Sequence, residues 1–543
     1  MKWLEKNPLG WLVVACLAIF FANLDVLVVN IMEARNFVTA REMLEDGNWI
    51  LTTLNGEPRY QKPPLPTWLT ALSGALFGLK NIFTLRVPAA LLALVLVVSS
   101  FKFSEKIFQN RSFAFIASLI LATSFYVISA GRDANWDIFA HGFMMVCIYQ
   151  LYLFFTSEGK GYPSALLAAL FFGASFMSKG PVSMYVLLLP FLISFGIVYK
   201  FNSLKRKIIP LFLFLLASFL LSAWWYWYTY AFDPETVTEI TKRETSNWTG
   251  YNIRPFYYYW SFFTQSGVWT IPAFIGLLFP YLRDRVFDKK GYLFTFLWTI
   301  GSVILLSVIP EKKSRYLLPV LIPLAFNTAF YMDYLIRRFK ALKDWRETFP
   351  VYFNFGLISI IGLAFPLAGY LYLGDRLEGY WFWYVLLSIT LFMIGFIMLR
   401  SLIRKNIKPV FFLTIAFIMA VICFGMPIAR TITYNPEYKS LALLNEWQAD
   451  TKVEVYEFGG FTPELIWAYG KSIPVLTKDG ITEIPSEESF GILIAEENLE
   501  DFQQVFSDYS IEKVSRYDMN PQAPGTRTHR PRLWRDLYLV KKR

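Results

Sequence analysis

Long apolar runs restrict this chain more than any other feature. They fall near residues 9–30, 82–103, 112–130, 138–156, 162–178, 181–199, 208–230, 268–282, 292–309, 316–335, 350–373, 380–399 and 409–428. A helix needs about 20 apolar residues to cross the hydrocarbon core of a bilayer. Inside that core every backbone polar group must be bonded within the protein, so helices are the natural reading of such runs. The pattern predicts an α-helical polytopic membrane protein with about 13 transmembrane helices. Composition agrees: 55% of the 543 residues are hydrophobic and 19% are aromatic.

The formal charge of +11 points to topology rather than to nucleic acid. Lysine and arginine crowd alternate connections: Lys102/Lys106/Arg111, Lys200/Lys205/Arg206/Lys207, Arg283/Arg285/Lys289/Lys290, Arg337/Arg338/Lys340/Lys343/Arg346 and Arg400/Arg404/Lys405/Lys408. The positive-inside rule places this set in the cytoplasm with the N-terminus. Alternation closes only if the weak run Pro66–Leu79 does not cross, so that run is expected to be a re-entrant or surface helix. The first outer loop then extends over 31–81, within a membrane domain 1–429. The apolar run after Met1–Asn7 is too long for a cleaved leader and is expected to remain as the first helix. Residues 430–543 carry no apolar run. VEVYEFGG, IPVLT, FGILIAE and DLYLVKK read as strands, and PELIWAYG and LEDFQQVFSDY as helices. A small α/β domain on the outer face is expected there.

Function classes drop out quickly. Cys16, Cys147 and Cys423 all lie in apolar runs, and the two histidines, His141 and His529, are far apart. Neither a disulfide framework nor a zinc constellation is expected. No glycine-rich phosphate loop, Ser–His–Asp pattern or HExxH occurs, so any activated donor should come from the membrane itself.

Four outward segments carry unusual charge and are expected to meet. The first, IMEARNFVTAREMLEDGNWILTTLNGEPRYQKPPLPTWL, mixes charge with Leu44, Ile50, Leu51 and Leu54, which a solvated linker would not use. Glu33 follows the first span. It is either an interfacial charge that ends a helix or a general base at the lip of a cavity. Arg35 could grip an anionic leaving group. Arg59 and Tyr60 lead to Lys62, whose backbone is stiffened by two prolines; it is a snorkelling lysine or a phosphate ligand. The second segment, GRDANWD, holds Arg132, Asp133 and Asp137, the last opening an apolar helix as an N-cap or as a catalytic carboxylate. The third, KRETSNWTGYNIRPFYYYW, offers Arg243, Glu244, Arg254 and Tyr258 as donor or acceptor contacts. The fourth, PEKKSRY, sets Lys312, Lys313, Arg315 and Tyr316 on the side that should be poor in positive charge. Lys179 in the tight outward turn SKGP breaks the same pattern and needs a partner.

At these residues the chain resembles the polyprenyl-phosphate-dependent glycosyltransferases of the GT-C fold, above all family 39, with its protein O-mannosyltransferases and lipid A aminoarabinose transferases. The matching stretches are EARNFVTAREMLEDGNWILTTLNGEPRYQKPPLPTW, GRDANWDIFAHGF, SKGPV, RPFYYYW and KKSRYLLPVLIPLA, across residues 31–325. The resemblance implies inverting transfer of a sugar from undecaprenyl phosphate to a lipid or other envelope acceptor on the outer face of the plasma (inner) membrane; an amino sugar is one candidate. Lys62 and Arg35 would hold the donor phosphate, with Arg132, Lys179, Lys313, Arg315 and Tyr316 around it, and Glu33 or Asp137 would serve the acceptor. The family's Asp-Glu pair reads Met32-Glu33 here, and its Glu-Lys-Pro reads Gln61-Lys62-Pro63. No cofactor is expected. The aminoarabinose branch implies no metal, although other GT-C enzymes use one. A lipid or polysaccharide transporter and a non-enzymatic envelope assembly protein are the alternatives.

Overall fold

Helices carry the chain as far as Ala429, and a small mixed sheet follows. The computed structural model describes residues 6–201, 204–432, 435–478 and 480–543. Among these, eight helices are long and apolar enough to cross a membrane: Ile82–Phe108, Trp136–Thr156, Leu204–Phe232, Lys289–Val308, Ser314–Ala341, Trp345–Leu377, Trp381–Ile403 and Ile407–Ala429. A ninth forms if Arg111–Ala122 and Phe125–Gly131, bent by 68°, count as one span. The thirteen expected spans are therefore not thirteen long helices. Runs 9–30 and 181–199 yield the shorter helices Pro8–Phe20 and Met184–Val198. Run 268–282 breaks into Thr270–Gly276 and Phe279–Leu282. An apolar window counts side chains and does not register where the backbone turns.

Several of these breaks and approaches have visible causes. At the 68° bend, Thr123 Oγ1 and Ser124 Oγ donate back to the carbonyls of Leu119 (2.6 Å) and Ile120 (2.8 Å). Such back-bonding favours a bend. The indole of Trp269 donates to Thr123 Oγ1 at 2.8 Å and fixes the corner. Trp345–Leu373 and Trp381–Ile403 pack closely because Gly362 and Gly395 face each other's backbones. A Cβ on Gly362 would stand 2.6 Å from the Leu391 carbonyl, and one on Gly395 2.7 Å from that of Ser359. Small residues at a crossing let membrane helices approach in this way. The Ser314–Ala341 span lies at the centre, 89% of its apolar window buried, against 28% for Leu204–Phe232 at the periphery.

The loop expected over 31–81 is folded. Asn30 and Glu33 form a reciprocal capping box that starts the helix Ile31–Glu45; two orphan backbone donors are satisfied at once. A two-residue hairpin pairs Thr53–Leu54 with Glu57–Pro58 through Asn55-Gly56, both at positive φ (58° and 77°). Asn-Gly is the favoured turn for that geometry, a signal the sequence carried unread. Pro63 and Pro64 lead into the helix Leu65–Phe77, stopped by Gly78 at φ 95°. At 13 residues it rises only about 20 Å, short of a bilayer core.

The sheet domain has strand order Val455–Phe458, Ser489–Ile494, Trp534–Lys542, Tyr509–Asp518; the first pair is parallel and the others antiparallel. The Ser489–Ile494 strand is buried on both faces. Leu493 joins one apolar cluster with Leu465 and Ile466, while Phe490, Ile492 and Ile494 join another with Phe502 and Phe506. The strand Tyr509–Asp518 went unread because it lies at the sheet edge and alternates charged with half-buried residues. IPVLT gives only a bridge from Val475 to Glu457 and the short strand Thr477–Lys478. This domain docks on the 31–81 loop. Val38 enters its core, Phe37 packs on Trp467 with ring centroids 5.0 Å apart, and Asn55 exchanges two 2.8 Å hydrogen bonds with the backbone of Ile473.

Candidate functional site

A cavity of about 740 Å³ opens where the 31–81 loop, the turn after Tyr162–Lys179, the helix Pro234–Gly250 and the segment around Ser314 meet. Its walls carry seven cationic side chains, Arg35, Arg59, Lys62, Lys179, Arg243, Lys313 and Arg315, against three carboxylates, Glu57, Glu244 and Glu311. Met32, Trp136, Tyr226 and Tyr316 supply apolar and aromatic surface, and Phe461 reaches in from the sheet domain.

Local structure aims each group. Arg35 stands one turn into the Ile31–Glu45 helix. Burial lowers its pKa, with Glu464 acting against that and Arg315 and Arg532 adding to it. Arg59 follows the hairpin; its guanidinium lies 4.8 Å from the centre of the Trp136 ring and donates to Thr39 Oγ1 at 3.4 Å. Burial and then the nearby Arg35 push its pKa down to about 9. Lys62 has no carboxylate within ion-pair distance among the described residues. Burial, then the charge of Lys179, push its pKa down to about 8. A lysine so placed gains most from an incoming anion.

Lys179 ends its helix, and Gly180 at φ 72° turns the chain away. The ammonium donates to Asp137 Oδ1 and sits 4.8 Å from the centre of the Tyr316 ring. Asp137 is in the first turn of Trp136–Thr156, where Asn135 caps its N–H at 2.9 Å. His141, one turn on, places Nε2 4.0 Å from Asp137 Oδ1 and Nδ1 2.9 Å from Ser183 Oγ. Lys313 pairs with Glu311 at 2.5 Å. The buried Nε of Arg315 has no partner among the described residues. Lys312 points away and bonds the carbonyls of Ile309 (2.6 Å) and Arg254 (3.1 Å), a strut that holds the segment in place.

Other expected site residues lie elsewhere. Glu33, 1% exposed, is not at the lip of the cavity. Arg86 grips it with Nε and Nη2 at 2.6 and 2.8 Å, and the Ala134 N–H donates to it at 3.1 Å. Arg132 bonds the carbonyls of Ile19 and Asn23, each at 2.8 Å. Asp133 accepts from Asn135 at 2.9 Å; burial, then the charge of Glu33, push its pKa up to about 7. Tyr60 donates to Asp233 at 3.0 Å and ties the first loop to the Pro234–Gly250 helix. Arg254 and Tyr258 are exposed outside the cavity wall. Asp137 stands behind Lys179, not on the wall. Conversely, Arg86, Trp136, Tyr226 and Phe461 were not read as site residues. A lone arginine inside run 82–103 was the one available signal for a buried ion pair. Among the described residues no group of three His, Cys, Asp or Glu side chains is arranged to hold a metal.

The comparisons define the class first. The structure of ArnT from Cupriavidus metallidurans bound to undecaprenyl phosphate superposes with a TM-score of 0.68, covering 98% of each chain at 14% identity. The fold is that of a GT-C membrane protein. Residues 61–227 match the family described as dolichyl-phosphate-mannose-protein mannosyltransferase. An uncharacterized protein of Aquifex aeolicus is 26% identical over 301 residues, 54% of this chain and 58% of its own length. The undecaprenyl phosphate-α-4-amino-4-deoxy-L-arabinose arabinosyl transferase of Yersinia enterocolitica is 26% identical over 336 residues, 58% of each chain. The match thus spans 58% of the length of either relative. Over these stretches the chain is similar to polyprenyl-phosphate-dependent glycosyltransferases, and it shares the fold of ArnT along almost its whole length.

Proposed function

We propose that this protein is an inverting glycosyltransferase that moves a sugar from undecaprenyl phosphate to a lipid or other acceptor of the cell envelope. The observation that carries the reading is the gathering of Arg35, Lys62, Lys179 and Arg315 around one cavity. A departing polyprenyl phosphate carries its charge on oxygens that such a cluster would stabilise. In a partly desolvated site each charge-assisted bond counts for more than in water. The name of the Yersinia relative supports undecaprenyl phosphate as carrier and an amino sugar as cargo. The cavity serves the phosphate and sugar, and the lipid tail would leave toward the bilayer.

In this reading the donor phosphate sits between Arg35 and Lys62 on one wall and Lys179 and Arg315 on the other. Asp137 acts through Lys179, fixing its ammonium, and is a positioning residue. The N-terminus is cytoplasmic, 1–429 form the plasma-membrane domain with its catalytic loop 31–81, and 430–543 form an outer-face domain that roofs the site. The test is mass spectrometry of the purified chain given undecaprenyl phosphate-α-4-amino-4-deoxy-L-arabinose and envelope lipids. Appearance of undecaprenyl phosphate with a glycosylated acceptor supports the reading. A chain that neither consumes the donor nor binds undecaprenyl phosphate would overturn it.

A further inference from the structure

We propose that Glu244 is the general base that takes the proton from the acceptor. The inference rests on the transferase reading above. A base must have free lone pairs, because a cation in contact occupies them and weakens the group as a proton acceptor. Most carboxylates near the cavity fail that requirement. Glu33 is held by Arg86, Asp137 by Lys179, Glu311 by Lys313 and Glu464 by Arg532 at 2.6 Å. Glu57 is exposed on the hairpin strand at the rim. Met32, on the wall, has no proton-accepting group.

Glu244 differs from all of them. It lines the cavity and is half-buried, and among the described residues its carboxylate has neither an ion pair nor a hydrogen bond. It shares the cavity wall with Lys62 and Arg35, and its negative charge is felt by both without an ion pair to either. The helix that carries it is anchored. Asp233 caps the Thr236 N–H at 3.3 Å and accepts from Tyr60 at 3.0 Å, so the first loop and Glu244 share a fixed frame.

The step balances without further reactants. The acceptor hydroxyl or amine attacks the anomeric carbon, and its proton passes to the Glu244 carboxylate. The bond from that carbon to the phosphate oxygen breaks, and its electron pair leaves on undecaprenyl phosphate, which becomes a dianion facing Arg35 and Lys62. Glu244 then returns the proton to water.

The experiment uses the purified full-length chain in detergent with undecaprenyl phosphate-α-4-amino-4-deoxy-L-arabinose. Envelope lipids are one acceptor, and sodium azide, which has no proton to lose, is the other. In Glu244→Gln and Glu244→Ala, transfer to envelope lipids should fall about 100-fold or more. Transfer to azide and binding of undecaprenyl phosphate should stay within about threefold of wild type. Glu244→Asp should recover part of the lipid transfer. Near-wild-type lipid transfer in Glu244→Ala overturns the proposal, and so does a parallel loss of azide transfer, which would mark a structural role. A wild-type chain that neither binds undecaprenyl phosphate nor consumes the donor overturns the transferase reading itself.

Discussion

The guanidinium of Arg86 spans the carboxylate of Glu33, and both side chains are 1% exposed. The pair closes the junction between the Ile31–Glu45 helix and the Ile82–Phe108 span, with Arg86 also bonding the Leu24 and Leu27 carbonyls at 2.7 and 3.0 Å. Removing one partner of a buried ion pair costs about 3–5 kcal/mol. Glu33→Gln and Arg86→Met should each lower the unfolding temperature in detergent, leaving turnover per folded molecule nearly unchanged. A large drop in turnover at wild-type stability would return Glu33 to the reaction.

Donor affinity should depend on Arg35 and Lys62. Losing a hydrogen bond to a charged group costs about 1.5–3 kcal/mol. Arg35→Ala and Lys62→Ala should each weaken undecaprenyl phosphate binding by about 10- to 100-fold. Calorimetry on the purified variants measures this; unchanged affinity in the double variant would remove the phosphate role.

Binding should also follow the charge of Lys62. Its pKa lies near 8, so the ammonium is present below that pH and is lost above it. A phosphate monoester is already a dianion above about pH 7. Affinity for undecaprenyl phosphate should therefore fall as pH rises from 7 through 9. Lys62→Arg keeps its charge over that range and should flatten the profile; an identical slope in that variant would point to another group.

Asp137 and Lys179 should behave as one unit. Asp137→Asn leaves the ammonium buried without its counter-charge, and Lys179→Met does the reverse. Each single change should destabilise the protein more than the double change, with a coupling of about 1–3 kcal/mol in a double-mutant cycle. Additive effects would mean the contact carries no energy.

The parts of the site legible in the sequence were those that broke a pattern. Lys179, Lys313 and Arg315 stood out as positive charge on the side that should lack it, and the structure brings all three to the cavity with Arg35, Lys62 and Tyr316. Glu33, Arg132 and Asp133 carry equally conspicuous charge, yet their partners are Arg86, distant backbone carbonyls and Asn135. Spacing along a chain does not reveal which charge a distant helix has already claimed. Helix breaks were illegible for a related reason: hydropathy sees the apolar run 112–130, not the side chains that bend it at Thr123 and Ser124. The sheet domain was legible where strands are continuously apolar, as at 489–494, and not at the charged edge strand 509–518.

Phe461 enters the cavity from a domain that contributes none of the seven cations on its wall. All of the charge thus comes from the helical part, while some of the apolar lining comes from the sheet domain. At about 4 Å a unit charge pair is worth ~4 kcal/mol in a protein-like medium and ~1 kcal/mol in water. Loosening the sheet domain's hold on the 31–81 loop would take Phe461 from the wall, and water in its place would dim the field of the cations together.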